Sequence, residues 1–335
     1  MFFTRITRGT RLALRLALAA AAVLPLCAGA QQKADPDWPS KPIRVVVPYV
    51  AGGPMDFIGH TLSQKISASL GQNFIIDNRA GAGGAIGTDN VAKSPPDGYT
   101  MLDTSSSHAS LPVVMKSLPY DPIKDFVPIT LVANSVGFIL AANPQVPANN
   151  LSEFIKLAKA NPGKYTFGSG GVGNVMQFAA EFFNGSAGTK LTHVPYKGVG
   201  QAITDLVGGR IDVCFGPATQ LKAFVKAGKL KPFAITAKQR WSELPDVPTV
   251  DEAGVKGFAY VPWYGFWFPA GTPEPYVNRM RAEIAKAFAD PQVKKQFEDQ
   301  GFAPLTTTTA EFAKIINDEI ANNRKLAAQI GLQPE

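Results

Sequence analysis

The sequence predicts an α/β protein made of two doubly wound units, between which the chain crosses twice. Residues 45–70 and 165–183 indicate the two units, because each stretch contains a β-rich run, a glycine-rich turn and a helical pattern. Strands alternate with helices along most of the chain, which is typical of parallel sheets with helices on both faces. From residue 272 onwards, patterned helices follow without a sheet of their own. We expect them to pack on the first unit, so that the chain crosses near residues 134 and 260 and the crossings form a two-segment hinge.

The first 30 residues have the composition of a signal peptide. Four arginines and no acidic residue accompany an apolar run from Leu16 to Leu26, and Ala28-Gly29-Ala30 has the small-x-small form of a cleavage site. The apolar run is too short for a membrane span. The large Leu26 before Cys27 disfavours lipid attachment at that cysteine. We therefore expect residues 1–30 to be removed on export and the remaining chain to be soluble.

Composition excludes several classes of function. The chain has 33 Lys or Arg and 26 Asp or Glu, and removing the four leader arginines lowers the net charge from +7 to +3. No basic cluster remains that would indicate nucleic acid or a membrane surface as a partner. Cys214 is then the one remaining cysteine, so an internal disulfide is impossible, and its apolar neighbours predict a buried structural thiol.

The first unit opens with a β-branched strand that enters a glycine turn and a helix. Asp56 is predicted to cap this helix, whose apolar residues recur every fourth position until Gly71. The elements predicted for this unit are strand 42–49, helix 57–70, strand 74–78, glycine turn 81–87 with a short helix to 93, strand 99–103 leading into the serine-rich segment 104–108, and two β-rich runs within 126–142.

The second unit repeats this plan, and the C-terminal third is helical. The elements predicted for the second unit are helix 151–160, strand 165–167, glycine turn 168–174 with a helix, strand 191–194, helix 199–207, strand 211–215, helix 221–227 and strand 232–236. An aromatic β-like run, 260–268, follows. Pro273, Asp290 and the pair Thr308 and Glu311 then mark the starts of three helices, the last pair as a capping box.

Each unit therefore places a helix start after a strand and a glycine turn, at residues 51–57 and 168–175. Ligands of open α/β sheets bind beyond the carboxyl ends of the strands. A helix start offers unpaired N–H groups and the positive end of the helix dipole, which suits an anion. If the units face each other, two such starts can hold a small anion at each end of a cleft, or a dicarboxylate across it. An ordinary turn without a ligand is the alternative for each stretch.

Few side chains are candidates for this cleft. Ser105 to Ser107 end the third strand and could donate hydroxyls, and Ser169 and Asn174 could donate in the second turn. His108 could face the cleft, although a structural hydrogen bond is the usual role of a lone loop histidine. Tyr196, Trp263 and Tyr264 could wall the pocket, and core packing is the alternative for each aromatic ring.

Enzyme motifs are missing from the sequence. Residue 86 is Ile where a dinucleotide-binding fingerprint needs glycine, and Phe167 stands where the serine elbow of an α/β-hydrolase needs glycine. There is no P-loop and no histidine pair with the spacing of a zinc site. The sequence thus predicts no cofactor, no metal and no enzyme, and a hydrolase acting through Ser169 with a remote His and Asp stays open as an alternative.

Six motifs, taken together, resemble one family along nearly the whole chain after residue 30. The motifs are Trp38-Pro39-x-Lys41-Pro42-Ile43-Arg44, Pro48-Tyr49-x-Ala51-Gly52-Gly53-x-x-Asp56, Asp77-Asn78-Arg79-x-Gly81-Ala82-Gly83-Gly84, Pro96-Asp97-Gly98-Tyr99-Thr100, Val194-Pro195-Tyr196-Lys197-Gly198 and Pro269-Ala270-Gly271-Thr272-Pro273. In this order they are similar to the substrate-binding proteins of tripartite tricarboxylate transporters, the Bug-type receptors.

The resemblance implies a type II periplasmic-binding-protein fold that closes on a small carboxylate. Domain 1 would comprise residues 31–133 and 262–335, and domain 2 residues 134–261. Family members hold one carboxylate with the first Gly-Gly loop, through backbone groups and waters, and the far end with the second domain's loop. The ligand-binding residues expected here are Tyr49, Ala51, Gly52, Gly53, Pro54, Met55, Asp56, Ser105, Ser106, Ser107, His108, Ser169, Gly170, Gly173, Asn174, Gln177, Pro195, Tyr196 and Pro217.

The resemblance also implies a periplasmic, monomeric receptor that hands its ligand to a membrane permease without catalysis. A solute sensor that docks on a membrane signalling partner would use the same pocket. This sequence departs from the family pattern at Met55, where many relatives have Thr or Ser, and at Asn174 and Gln177, where Ser and His are common. These changes leave room for an aromatic carboxylate, such as a benzene dicarboxylate, beside aliphatic di- and tricarboxylates.

Overall fold

The computed structural model describes residues 35–332 and residue 334. The predicted signal peptide, residues 1–30, lies outside these described residues. Up to the first crossing, the elements are β1 (Ile43–Val47), α1 (Pro54–Leu70), β2 (Phe74–Asn78), α2 (Ala85–Ala92), β3 (Thr100–Ser105), α3 (Ser107–Val114) and β4 (Phe126–Ser135). Between the crossings they are β5 (Phe138–Ala142), α4 (Leu151–Ala160), β6 (Thr166–Ser169), α5 (Val175–Ala187), β7 (Thr192–Pro195), α6 (Val199–Val207), β8 (Val213–Pro217), α7 (Ala218–Lys226) and β9 (Lys231–Ile235). The last elements are β10 (Trp263–Pro269), α8 (Glu274–Phe288), α9 (Pro291–Asp299), β11 (Phe302–Pro304) and α10 (Thr309–Ile330).

The described strands form two sheets, one in each of two lobes. The first lobe has a six-stranded sheet in the order β11-β4-β10-β3-β1-β2, and the second lobe has a five-stranded sheet in the order β7-β6-β8-β5-β9. The chain passes between the sheets from β4 to β5 and from β9 to β10. These passages touch each other, since the Ser135 amide donates a hydrogen bond of 2.8 Å to the Pro262 carbonyl oxygen.

The prediction of parallel sheets holds for the βα units of each lobe, but both sheets also contain antiparallel pairs. β1 pairs in parallel with β2 and β3, and β6 does so with β7 and β8. In contrast, β10 is antiparallel to β3 and β4, β11 is antiparallel to β4, and β5 is antiparallel to β8 and β9. β5 and β10 are the strands that follow the crossings. Each of them enters its sheet directly from the other lobe, without the helical crossover that joins parallel strands. It can therefore lie antiparallel to the strands of the βα units.

Both faces of the first sheet are covered, as a doubly wound unit requires. Along β1, Val45 and Val47 belong to a hydrophobic cluster with residues of α1, α8 and α9, whereas Val46 belongs to a cluster on the other face with residues of α3 and α10. This alternation follows from the two-residue period of a strand. The second lobe has its own cluster around Phe167, Phe183 and Phe215. The α/β prediction is confirmed.

The C-terminal helix α10 contacts both lobes. Its predicted capping box is confirmed, with Thr308 and Glu311 bonding each other's backbone amides. Phe312 and Ile316 pack into the first lobe, but Ala327, about four turns further on, belongs to the second lobe's cluster. The prediction that the last helices pack on the first unit therefore holds for α8 and α9 and is incomplete for α10. Within the described chain, none of the helices is both long and apolar enough to span a membrane.

Candidate functional site

A cavity of about 650 Å³ lies between the lobes, at the carboxyl ends of their parallel strands. From the first lobe it is lined by the loop after β1, by Ser105 at the end of β3 and by Tyr264 at the start of β10. From the second lobe it is lined by the segments that follow β6, β7 and β8 and by Phe138 at the start of β5. Of the residues expected from the sequence, those lining the cavity are Tyr49, Ala51, Gly52, Gly53, Pro54, Met55, Ser105, Gly170, Asn174 and Pro217.

The loop before α1 is held in shape by Asp56. Asp56 Oδ2 accepts a 2.9 Å hydrogen bond from the Gly52 amide, and Oδ1 accepts one of 3.0 Å from the Asn78 side chain. The prediction that Asp56 caps α1 is wrong, because Gly53 is the N-cap and Asp56 is the third residue of the helix. Gly52 has a φ of +86°, in the region that favours glycine. The carboxylate is thus directed at the loop's own backbone and not into the cavity.

Uncapped helix starts surround the cavity. In the described structure, no side chain caps α1, α6 or α7, whose N-caps are Gly53, Gly198 and Pro217. The first amides of a helix have no intrahelical partner, so these starts present N–H donors to an anion. The start of α5, expected to serve this purpose, is already capped, since Asn174 Oδ1 accepts a 2.9 Å hydrogen bond from the Met176 amide.

Tyr49 connects the cavity wall to the serine-rich segment. Its hydroxyl lies 2.8 Å from the Gly83 carbonyl oxygen and 2.8 Å from Ser107 Oγ, so it donates to the carbonyl and accepts from the serine. Burial raises the pKa of Tyr49 to about 12, and the phenol stays neutral. Ser105 Oγ lies 2.8 Å from Ser107 Oγ. Ser105 therefore faces the cavity while Ser107 supports it from behind.

Ser106 and His108 do not line the cavity. Ser106 is buried at the start of α3. His108 Nε2 lies 2.7 Å from the Pro122 carbonyl oxygen, and its ring packs against Phe126 and Trp267. Burial lowers the pKa of His108 to about 4, so the ring is neutral and Nε2 donates to the carbonyl. The structure thus places His108 in a structural hydrogen bond.

The other expected residues of the second lobe form a supporting layer behind the wall. Ser169 Oγ lies 2.6 Å from His193 Nε2 and is fully buried. The Gly173 amide donates to Gln177 Oε1 at 2.6 Å. Tyr196, next to Pro195 at the end of β7, donates to Asp205 at 2.8 Å. Among the described residues, none of the side chains that make these contacts lines the cavity.

The cavity wall has no charged side chain. Among the described residues that line it, there is no Lys, Arg, His, Asp or Glu. The described chain also holds no group of three or more side chains arranged to bind a metal ion. The donors available to an anion are therefore backbone amides, hydroxyls and side-chain amides.

Sequence reasoning missed much of the second lobe's wall. The missed residues include Phe138, Val175, Met176, Gly198, Val199, Ile203, Gln220 and Phe224. Gly198 to Gly200 carry the signal that could have found part of it, because two glycines follow a strand and begin an amphipathic helix, as in the first loop. The apolar residues carry no such signal, since nothing in their local pattern distinguishes them from core positions.

The lobes approach each other closely at two glycines, Gly83 in the first lobe and Gly198 in the second. A Cβ on Gly83 would lie 1.8 Å from the Val172 carbonyl oxygen, and one on Gly198 would lie 2.4 Å from Val50 Cγ2. Gln220 Nε2 also donates to the Gly52 carbonyl oxygen at 3.5 Å. The absence of side chains at these two glycines lets the backbones of the two lobes approach each other.

Comparison with known proteins agrees with this geometry. The family model for the tripartite tricarboxylate transporter family receptor matches residues 58–332. The periplasmic binding protein BugD is 31% identical, with a TM-score of 0.83 over 89% of this chain and 100% of that one. A protein of R. palustris in complex with adipate is 30% identical, with a TM-score of 0.83 over 89% and 100% of the two chains. MatC of Rhodopseudomonas palustris, with bound malate, is 30% identical, with a TM-score of 0.81 over 86% and 99%.

These similarities cover nearly the whole described chain and extend over both lobes. They confirm the predicted type II periplasmic-binding-protein fold, with two α/β lobes joined by a hinge around a ligand cleft. The sequence motifs, the family match and the solved structures thus agree with one another. The chain belongs to the family of tripartite tricarboxylate transporter receptors.

Proposed function

We propose that this protein is a periplasmic solute receptor that binds a small organic carboxylate between its lobes and delivers it to a tripartite carboxylate permease. The observation that carries the proposal is the cavity wall, where uncapped helix starts and a glycine loop meet without any charged side chain. Such a wall can hold an anion by backbone donors. The adipate and malate seen in related structures support a carboxylate as the ligand.

In this proposal the lobes act as closing domains, residues 31–133 with 262–335 and residues 134–261. One carboxylate lies on the loop Ala51 to Asp56 with Ser105, and the far end of the ligand lies on the second lobe near Gly170, Asn174 and Pro217. Water is excluded as the cleft closes, which strengthens each modest helix-start interaction. Tyr49, Asp56 and Ser107 hold the donors in place, and no metal or cofactor takes part.

Export with removal of residues 1–30 places the receptor in the periplasm, where it acts as a monomer.

The contact between Ser169 and His193 is the observation that favours a second candidate, a periplasmic hydrolase. Ser169 has no exposed surface and does not line the cavity, which argues against a nucleophile that a substrate must reach. Ester turnover that is lost in Ser169→Ala would support the hydrolase.

A thermal-melt screen with aliphatic and aromatic mono-, di- and tricarboxylates tests the receptor. A carboxylate at 100 times its Kd should add roughly 2.7 kcal/mol of stability, which is readily seen as a rise in Tm. Amines and neutral sugars of similar size serve as controls and should leave Tm unchanged. A folded protein whose Tm responds to no carboxylate would contradict the proposal.

A further inference from the structure

The second lobe presents an apolar wall to the cavity. We define this wall by Phe138, Val175, Met176, Val199, Ile203 and Phe224, which come from the start of β5 and from helices α5, α6 and α7. Phe138 and Met176 are only 2% and 3% exposed, so the cavity surface here is fixed by side chains rooted in the core of the lobe. A ligand that fills the cavity must lie against this surface.

The charge that this cavity can balance is limited. Each helix start is equivalent to roughly half a positive charge. In the described structure, three uncapped starts reach the cavity, those of α1, α6 and α7, and the cavity wall contributes no Lys, Arg or His. Asp56 in the first turn of α1 offsets the positive end of that helix, so the starts of α6 and α7 together offer roughly one positive charge. The uncompensated charge held away from water therefore grows from a monocarboxylate to a dicarboxylate and is largest for a trianion.

We infer that the natural ligand is an organic acid with one or two carboxylates and an apolar body about the size of a ring, which lies on the apolar wall of the second lobe. This inference rests on the proposed function and narrows it. One carboxylate lies on the loop before α1, the apolar body contacts Phe138, Ile203 and Phe224, and a second carboxylate, where present, reaches the starts of α6 and α7. Tricarboxylates, after which the family is named, should bind more weakly because of their higher charge.

Calorimetric titration with four probes tests the inference. The probes are benzene-1,4-dicarboxylate, benzoate, succinate and citrate. Benzene-1,4-dicarboxylate and succinate carry the same charge and differ in apolar area, so the aromatic diacid should bind at least tenfold more tightly. Benzoate should bind measurably, and citrate should bind at least 100-fold more weakly than the aromatic diacid.

Two variants, each with a matched control, test the roles of the apolar wall and of the charge. Phe224→Leu, which removes an aromatic face from the wall, should reduce the preference for the aromatic diacid over succinate severalfold. Phe182→Leu is the matched control, because Phe182 is a partly buried phenylalanine of the same lobe that stacks on Phe258 and does not line the cavity.

Thr204→Lys places a cation at an exposed position of the cavity wall and should improve citrate binding at least tenfold. Ser152→Lys adds the same charge to an exposed position on α4 and should have no such effect.

The outcomes separate this inference from the proposed function. Succinate or citrate binding as tightly as the aromatic diacid overturns the inference and leaves the carboxylate receptor standing. A preference for the aromatic diacid that survives Phe224→Leu overturns the role given to the apolar wall. A folded protein that binds none of the four probes and no other carboxylate overturns both proposals.

Discussion

At the residue scale, Asp56 shows how a carboxylate can shape a loop of the cavity wall without itself facing the cavity. Its two oxygens accept hydrogen bonds from the Gly52 amide and from Asn78, which also donates to the Tyr49 carbonyl oxygen at 3.2 Å. These bonds hold the glycine turn in shape and give each oxygen of the negatively charged Asp56 carboxylate a hydrogen-bond donor. The residues that follow Gly52 in the loop, Gly53 to Met55, line the cavity.

We expect Asp56→Ala to weaken binding through the loop. Loss of the two hydrogen bonds should cost about 1 kcal/mol of stability each and should weaken the affinity for the tightest carboxylate of the panel by roughly tenfold, since the loop must then be ordered on binding. Asp318→Ala, which removes an exposed ion pair with Lys314, is the control and should change neither Tm nor Kd appreciably. An unchanged Kd in Asp56→Ala would contradict the role given to this residue.

Cys214 illustrates a residue whose role was predictable from its neighbours. It lies in β8 with no exposed surface, and burial raises the pKa of its thiol to about 12. Because thiolate is the reactive form, a thiol reagent at pH 8 should leave Cys214 unmodified in the native protein. Peptide mapping should find the label at Cys214 only after denaturation in concentrated guanidinium. Labelling of the native protein at this site would contradict the predicted structural role.

Some cavity residues are positioned by the local sequence around them, and others by contacts between distant parts of the chain. Gly52, Gly53, Met55 and Ser105 could be predicted because they follow strands in the same unit, and the carboxyl ends of strands are where ligands bind. Phe138 and Phe224 could not be predicted in this way. Phe138 reaches the cavity because β5 runs antiparallel to β8, which puts its start at that edge. Such a direction is set by the crossing of the chain between lobes and not by the local sequence.

At the scale of secondary structure, helices with clear start and stop residues were predictable, whereas the helix that begins in the serine-rich segment was not. The bounds expected for α4 and α6, residues 151–160 and 199–207, agree with the structure because an Asn cap and a glycine pair mark their starts. Helix α3 was missed. Its sequence, Ser107–Val114, contains Pro112 and begins in a serine run that is typical of a turn, so only tertiary packing favours the helix.

Helix α10 carries a buried acid that should make stability depend on pH. The Trp263 indole donates to Glu319, next to the buried phenol of Tyr260, and burial raises the pKa of Glu319 from the ordinary 4.5 to about 7. The folded protein thus keeps a proton that the unfolded chain releases between about pH 4.5 and 7. Its contribution to stability is therefore fully present below pH 4.5 and is lost as the pH rises to about 7.

Replacing Glu319 with a residue that cannot ionise should remove the loss of stability between pH 4.5 and 7. Glu319→Gln keeps an acceptor for the indole and cannot ionise, so it should match the wild type near pH 4.5 and exceed its stability at pH 8 by on the order of 2–3 kcal/mol. Urea unfolding of both proteins from pH 4.5 to pH 8 measures the difference. The low pKa values of His108 and His193 affect both proteins equally and cancel. A stability difference that does not change with pH would contradict this account.

At the scale of the whole molecule, the lobes are joined at one side and meet through small contacts at the other. The joining side consists of the passages from β4 to β5 and from β9 to β10, with α10 packed across both lobes. The two passages were predictable, because the second unit repeats the first and the last helices lack a sheet. The span of α10 was not, since its apolar positions do not reveal which lobe each turn contacts.

If the lobes close on a ligand as proposed, closure depends on Gly198, which lies where they meet. Its φ of −175° is extended backbone that any residue adopts, so a methyl group there causes no backbone strain. The added Cβ would, however, lie 2.4 Å from Val50 Cγ2 in the first lobe. Val50 is β-branched and restricted at χ1, so moving Cγ2 away costs energy while the two lobes are this close. Gly198→Ala should thus act on the closed state and leave each lobe intact.

We therefore expect Gly198→Ala to bind its tightest carboxylate roughly tenfold more weakly than the wild type, with little change in the Tm of the free protein. X-ray scattering with saturating ligand should give a larger radius of gyration for the variant. Val50→Ala removes the atom that the new methyl group meets. The double variant should hence recover both the affinity and the compact shape, which a mere loss of ligand contacts at residue 198 would not allow. Failure of Val50→Ala to restore binding would show that Gly198 acts on the ligand directly and not on the approach of the lobes.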